Sequence, residues 1–404
     1  MIFKRIPWVK CSESTNALGF HSLKKGGWPC RLGVWKTSGV TRALMSIRRK
    51  TLGFRPSTSR GLSAFRFGVQ MLIAELPRVD LSEPDCLTSL RRGLCETGFF
   101  YLRDTAAGAQ RLHDLRKETA RFMSGSVEEK MRTSEFLRGY AAFGSEHTEA
   151  GFGTGELGEG DLCEKYTIGV TPSAQDRSEA PQYYSDPEAQ RYFRENIFPN
   201  NDFHRAWEVY FESLSKMAET LLGAVRQALN LSDSEWSADT NRPASILRFL
   251  NYPETRSSAL RMAAHYDDNL LTLLHQSPSE NGFDSLQVML PNETQWRSVP
   301  ADDDYFVVNV GEALMYLTQG RVVATKHRVA SVPENLREGS ARTSAVFFYA
   351  PNWDCGLRPV SPRGVDSELG QMAEDFGLDE LRDPDGSIPY YRLQNRAVDR
   401  GFTG

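Results

Sequence analysis

The sequence predicts an α+β fold whose second half is an antiparallel β-sandwich or barrel, and three observations carry that prediction. After Arg242-Pro243 the texture changes to eight short apolar runs broken by Gly, Pro and Asn within about 110 residues: "ASILRFLNYP", "NLLTLLHQ", "SLQVML", "WRSVP", "YFVVNV", "EALMYLT", "VVATKHRVASV" and "RTSAVFFYAP". Many short strands at such spacing close into sandwiches and barrels. Ahead of them, "DFHRAWEVYFESLSKMAETLLGAVRQALNL" places Phe203, Trp207, Tyr210, Leu214, Ala218, Leu221, Leu222 and Val225 three and four residues apart. That spacing predicts one long helix with a single buried face. No segment repeats at a fixed period, which argues against a propeller or solenoid.

The remaining elements follow in chain order. Folded sequence is expected from Ile73, where "IAELPRVDLSEPD" gives a short strand and a helix start. "CLTSLRRGLCETGFFYL" then reads as an amphipathic helix ending near Gly98, followed by the strand Phe99 to Leu102. Residues 109–135 form a second helical stretch. The glycine-rich segment from Gly139 to Gly160 and the tail after Asn352 are expected to supply substrate contacts and a lid, with a solvent-exposed linker as the alternative. The chain therefore divides into a basic extension (1–72), an N-terminal helical and α/β region (73–240) and a β-barrel with a C-terminal lid segment (241–404).

Charge separates the extension from the rest. Residues 1–70 contain fourteen Lys or Arg and one acid, Glu13, a net +13 in a chain whose total is −4, so the remainder carries −17. This basic, acid-poor segment fits a transit peptide, which would place the protein in a plastid or other organelle; without one it would be cytoplasmic. A nucleic-acid-binding arm or translation from an upstream false start are the alternatives. A mean hydropathy of −0.46 and the lack of a long uncharged apolar run argue for a soluble protein with no membrane span. Six cysteines without CxxC pairing or regular spacing suggest neither a zinc knuckle nor a disulfide framework. A monomer acting on a small molecule, with no nucleic-acid or membrane partner, is the expected state.

The stretch "RMAAHYDDNLLTLL" (261–274) carries the chemistry. On an extended strand His265 and Asp267 face one side and Asp268 the other. One imidazole and one carboxylate then converge, and two histidines with one carboxylate are the facial set that holds Fe(II) in oxygenases. An HxD pair alone is weak, and a second histidine is needed. His204 sits among charges on the long helix, and His275 lies several strand steps away. His327, on a strand well separated in sequence, is the best candidate. On the next strand Arg342 and Ser344 share a face, a guanidinium fork beside a hydroxyl that suits a carboxylate gripped by two bonds.

These motifs, "HYD", "LTLLHQ", "SLQV", "VNVGEALMYLTQG", "ATKHRVASV" and "RTSAVFFY", stand in an order and spacing that resemble the iron(II)- and 2-oxoglutarate-dependent dioxygenases of the isopenicillin N synthase-like superfamily. "RMAAHYD", "NGFDSLQV" and "ARTSAVFFYAPN" are especially similar to the deacetoxycephalosporin C synthase type. With "ETGFFYLRD", "LRGYAAFGSE" and "NIFPNNDFHRAWEVYF" the resemblance covers about Ile73 to Asn352. It implies a double-stranded β-helix (jelly-roll) core flanked by helices. It also implies Fe(II) held by His265, Asp267 and His327, 2-oxoglutarate held by Arg342 and Ser344 with Tyr252 and Met262 lining its pocket, and O2 as cosubstrate. Of the arginines this type turns toward substrate, the chain keeps Arg248 but has Leu250 at the second place, and Arg138 alone remains of a basic pair.

The expected activity is oxidation of an unactivated C–H of a small anionic, amino-acid-derived metabolite, by hydroxylation, desaturation or ring formation of the kainoid type, with release of succinate and CO2. Tyr140, Tyr166 and Trp353 are further candidates for the substrate pocket. An iron oxidase that uses no 2-oxoglutarate, and a metal-free ligand-binding barrel, are the alternative functions.

Overall fold

The computed structural model describes residues 72–148, 160–360 and 376–401. Almost all of the basic extension, the glycine-rich stretch from 149 to 159 and the tail segment 361–375 therefore lie outside the described residues. The described strands are β1 (Arg78–Val79), β2 (Phe99–Arg103), β3 (Ser134–Glu135), β4 (Arg138–Ala141), β5 (Glu164–Gly169), β6 (Ile246–Tyr252), β7 (Met262–His265), β8 (Leu271–Gln276), β9 (Leu286–Val288), β10 (Arg297–Ser298), β11 (Tyr305–Val310), β12 (His327–Val329), β13 (Arg342–Tyr349), β14 (Gly356–Leu357) and β15 (Ile388–Pro389). Nine of them form a major sheet in the order β1-β2-β11-β8-β13-β6-β5-β4-β3, and four form a minor sheet, β10-β9-β12-β7. Pairing is antiparallel except between β1 and β2. Strands from both sides of residue 240 thus share one sheet, so that position is a change of sequence texture within a single hydrogen-bonded layer.

The long helix runs from Asn201 to Ala228, started by the Asn200 side chain accepting from the Phe203 amide. All eight apolar positions picked out by spacing are buried on it. Phe203 and Trp207 stack with ring centroids 5.2 Å apart, and the Trp207 indole donates to Thr119 Oγ1 at 3.0 Å on the neighbouring helix, Ala106–Met123. The long helix in turn packs against β8 and β13 of the major sheet. The first helix, Cys86–Arg92, continues through a wide final turn, Gly93–Thr97, to Gly98 at φ +64°. A Cβ at Gly98 would lie 2.1 Å from the Val323 carbonyl oxygen. Gly98→Ala should therefore cost about 1–2 kcal/mol for the left-handed backbone plus the displacement of that carbonyl. A fall in urea midpoint with unchanged slope would measure it.

One predicted strand is corrected. "EALMYLT" forms the helix Glu312–Leu317, and all six of its residues are buried. A short apolar run with no polar face carries neither a period of two nor of 3.6. Gly311 opens this helix where a Cβ would meet the Asn269 carbonyl oxygen at 2.0 Å. The described cysteines Cys86, Cys95, Cys163 and Cys355 are unpaired thiols, and no described helix is long and apolar enough to cross a membrane.

Candidate active site

Two sheets facing each other leave a cavity of about 230 Å3 whose wall includes His265, Asp267, His327, Arg342, Ser344, Tyr252 and Met262. The pairing of β7 with β12 sets His327 directly across from His265, with the rings 4.2 Å apart. β7 ends at His265, and Asp267 follows in the loop with Oδ1 3.7 Å from Nε2 of both histidines. One ligand atom from each residue lies within 4.8 Å of the others.

Surrounding hydrogen bonds decide which atoms are left for a cation. His265 Nδ1 lies 2.8 Å from the Ala263 carbonyl and His327 Nδ1 3.2 Å from the Thr325 carbonyl, so each Nδ1 donates and each Nε2 presents its lone pair. Asp267 Oδ2 accepts from Thr272 Oγ1 at 2.6 Å and from Asn309 Nδ2 at 2.7 Å. Thr272 and Asn309 are register partners on β8 and β11, so one rung of the major sheet aims the carboxylate. Burial resists the Asp267 charge, but His327, His265 and the two donors outweigh it and hold the carboxyl below its usual range. Burial, then His265, pushes His327 down to about 4, which keeps its imidazole neutral. Two imidazoles and one ionised carboxylate are the donor set suited to Fe(II).

Next to this set lies a buried cation without an anion. β13 runs between β6 and β8, placing Arg342 opposite Tyr252 and Ser344 opposite both Leu250 and Gln276. Arg342 is 5% exposed and donates to Ser344 Oγ at 2.6 Å, Gln276 Oε1 at 2.9 Å and Ser285 Oγ at 3.1 Å. Its guanidinium also sits 5.1 Å from the centre of the Tyr252 ring. Among the described residues no carboxylate comes within 4.0 Å of it, and burial lowers its pKa from the ordinary arginine value. A charge so enclosed by neutral groups is costly unless an anionic ligand reaches it. These residues fit the far carboxylate of 2-oxoglutarate.

Sequence comparison gives the same answer from a separate direction. Residues 243–351 match the model of the 2OG-Fe(II) oxygenase superfamily, and residues 76–201 match that of the non-haem dioxygenase in morphine synthesis N-terminal family. The deacetoxycephalosporin C synthase of Amycolatopsis lactamdurans is 31% identical over 332 residues, covering 77% of this chain and 95% of that one. The chain belongs to the 2OG-Fe(II) oxygenase superfamily. The deacetoxycephalosporin C hydroxylase of Streptomyces clavuligerus is 32% identical over 317 residues, or 72% of this chain and 91% of the relative. Among solved structures, a full-length Neurospora crassa protein in complex with α-ketoglutarate and thymine superposes with a TM-score of 0.61 at 20% identity, covering 81% of this chain and 99% of that one. A rice dioxygenase for auxin oxidation gives 0.55 at 18% identity, covering 81% and 98%. The shared fold is a jelly-roll core with flanking helices. This oxygenase is thus an Fe(II)- and 2-oxoglutarate-dependent enzyme that consumes O2.

The candidate substrate residues divide. Arg138 and Arg248 line the cavity; Tyr140, Tyr166 and Trp353 do not. The Tyr140 hydroxyl donates to Glu164 at 2.6 Å. Tyr166 packs between Phe122, Phe203 and Trp207, and Trp353 between Tyr183 and Tyr391. Arg248 is held by Glu146 at 3.1 Å, which Lys165 also contacts at 2.5 Å. Arg138 is different: 4% exposed, it donates to the Leu137 carbonyl at 2.8 Å and to the Tyr192 carbonyl, and among the described residues no acid pairs with it and Nε has no partner. Burial, then Arg194 and Arg248, lowers it to about 10.

The two histidines set aside as ligands lie outside the cavity, whereas one acid enters it. His275 is buried beside Asp104 at 3.3 Å and away from the cavity, and His204 pairs with Glu208 at 2.7 Å on the helix surface. Asp268, expected to face outward, lines the cavity instead. The strand pleat that would have turned it away stops at His265. Burial and the adjacent Asp267 push its carboxyl up to about 7. Sequence reasoning also passed over Gln276, Ser285, Thr272 and Asn309; a lone Asn inside the apolar strand "YFVVNV" was the available signal for the last of these.

Proposed function

We propose that this oxygenase oxidises an unactivated C–H of a small anionic, amino-acid-derived metabolite, with iron on His265, Asp267 and His327 and 2-oxoglutarate on Arg342 and Ser344. Bound iron, with 2-oxoglutarate and O2, supplies the oxidising power that removes substrate hydrogen and leaves succinate and CO2. The chain's own residues do the rest: Thr272 and Asn309 orient the ligand carboxylate, Arg342 fixes the cosubstrate, and apolar walls from Leu250, Val346 and Phe348 keep water from the reacting carbon. The observation that carries the substrate reading is Arg138, a buried cation in the cavity wall with only carbonyls as partners among the described residues. Leu250 stands where the cephalosporin-forming type has an arginine, which favours a ligand other than a penicillin. Similarity to a deacetoxycephalosporin C synthase and a deacetoxycephalosporin C hydroxylase supports ring formation and hydroxylation alike.

A screen of amino-acid conjugates and polycarboxylates for substrate-stimulated succinate release tests the reading. A product lighter by two hydrogens indicates ring closure, kainoid-type cyclisation included, or desaturation; one heavier by an oxygen indicates hydroxylation. Arg138→Met should raise KM for the active carboxylate roughly 10-fold or more, as expected from losing about 1.5–3 kcal/mol of charged hydrogen bonding, with a smaller effect on kcat. Stimulation by neutral terpenoids or flavonoids alone would sink the anionic reading.

A further inference from the structure

We propose that Asp268 recognises a cationic amine on the substrate, so that the cavity takes a molecule carrying both an ammonium and a carboxylate. The inference rests on the anionic-substrate reading and adds the second charge to it.

Most of the charges around the cavity are already answered. Two arginines act on Asp268, Arg396 and Arg248. Each is engaged elsewhere. Arg396, on the C-terminal helix Tyr390–Gly401, pairs with Glu312, and its other nitrogen donates to the Phe376 carbonyl at 2.8 Å. Arg248 holds Glu146 at 3.1 Å and Thr167 at 3.1 Å. Lys165 lies 2.5 Å from Glu146 and 2.6 Å from Asp161. Four acids (Glu146, Asp161, Asp268 and Glu312) therefore face three cations (Lys165, Arg248 and Arg396). The carboxylate left over is Asp268: among the described residues it has no ion pair and no side-chain hydrogen bond to another residue. Asp267 belongs to the metal set.

Arg138 is the converse case on the same cavity, a buried cation answered among the described residues by carbonyls alone. A cavity with one unanswered carboxylate and one unanswered guanidinium is complementary in charge to a zwitterion. A simple carboxylic acid would satisfy Arg138 and leave Asp268, half-buried in the cavity wall, without a cationic partner among the described residues. Asp268 follows directly on the residue that completes the metal set, so an amine bound there fixes the substrate close to the reacting centre. That placement makes it a determinant of which carbon is oxidised as well as of affinity.

The test compares matched probes on the full chain with Fe(II) and 2-oxoglutarate. A panel of L-amino acids and dipeptides is assayed beside the N-acetyl and des-amino counterpart of each, and beside simple alkylamines, for stimulated succinate release. Dissociation constants come anaerobically from perturbation of the visible Fe(II)·2-oxoglutarate absorption band. The expected result is that active amine-bearing carboxylates lose at least 10-fold in affinity on N-acetylation or amine removal. Asp268→Asn should erase that discrimination by weakening the amine form at least 10-fold while leaving the N-acetyl form within about 2-fold, and Asp268→Glu should restore part of it. The wild-type comparison needs no variant, so a folding defect in Asp268→Asn would not rescue or sink the proposal. Carboxylates that act equally well with and without the amine overturn this inference and leave the anionic reading standing. Alkylamines as active as amino acids, in an Asp268-dependent way, overturn the anionic reading and keep the amine site. Silence from the whole panel overturns both.

Discussion

Asp267→Ala is expected to abolish Fe(II) binding and turnover, as are His265→Ala and His327→Ala, while each protein stays folded. Every one of these residues offers the cavity a single ligand atom, and all three side chains border the cavity. Losing the carboxylate also strands the Thr272 hydroxyl and the Asn309 amide that donate to it at 2.6 and 2.7 Å. That should cost about 1–3 kcal/mol of stability, read as a lower denaturation midpoint in a protein with unchanged far-ultraviolet dichroism. Asn309→Leu supplies the graded comparison. It leaves all three ligands in place but takes one of two donors from Asp267, so iron affinity should fall about 10–100-fold with some activity left at saturating metal. Full activity in any of the three alanine variants would remove that residue from the set. An Asn309→Leu effect as large as that of Asp267→Ala would mean that the sheet rung, and not the carboxylate, organises the site.

How much of this site could be read in the sequence depended on whether its residues sat inside regular strands. Arg342 and Ser344 lie within β13, where a period of two holds, and both face the cavity as the alternation required. His265 and His327 come together because β7 and β12 pair, a long-range fact that no local pattern contains; resemblance to a known arrangement supplied it. Asp267 does lie with the two histidines, but the pleat is not the reason. The strand ends two residues before it, so its direction comes from Thr272 and Asn309 and not from the pleat, and the same lapse of periodicity brings Asp268 inward. The aromatic candidates failed for another reason. A tyrosine or tryptophan near a site is as useful to the core as to a ligand, and Tyr140, Tyr166 and Trp353 are claimed by other rings and by Glu164. The helix Glu312–Leu317 was illegible because burial on every side erased its polar face. By contrast, the long helix kept one wet face, and all its core positions were visible.

Arg342→Lys should weaken 2-oxoglutarate roughly 10–150-fold, far more than it weakens the substrate. The guanidinium is held flat by three neutral acceptors, Ser285, Gln276 and Ser344, and by the Tyr252 ring. Its fork is therefore aimed before any ligand arrives, and little conformational freedom is lost when a carboxylate takes two of its bonds. A lysine keeps the charge but makes a point contact, and the difference in charge-assisted hydrogen bonding is about 1.5–3 kcal/mol. Lysine also leaves the Gln276 and Ser285 oxygens without their donor, so the loss should exceed that of a surface Arg-to-Lys exchange. Anaerobic titration of 2-oxoglutarate into the Fe(II) protein, followed by its weak visible charge-transfer band, gives the dissociation constant directly. Substrate KM, measured at saturating 2-oxoglutarate, should move by no more than about 3-fold. If the band forms with wild-type affinity in Arg342→Lys and substrate KM rises instead, Arg342 grips the substrate carboxylate and the cosubstrate lies elsewhere in the cavity.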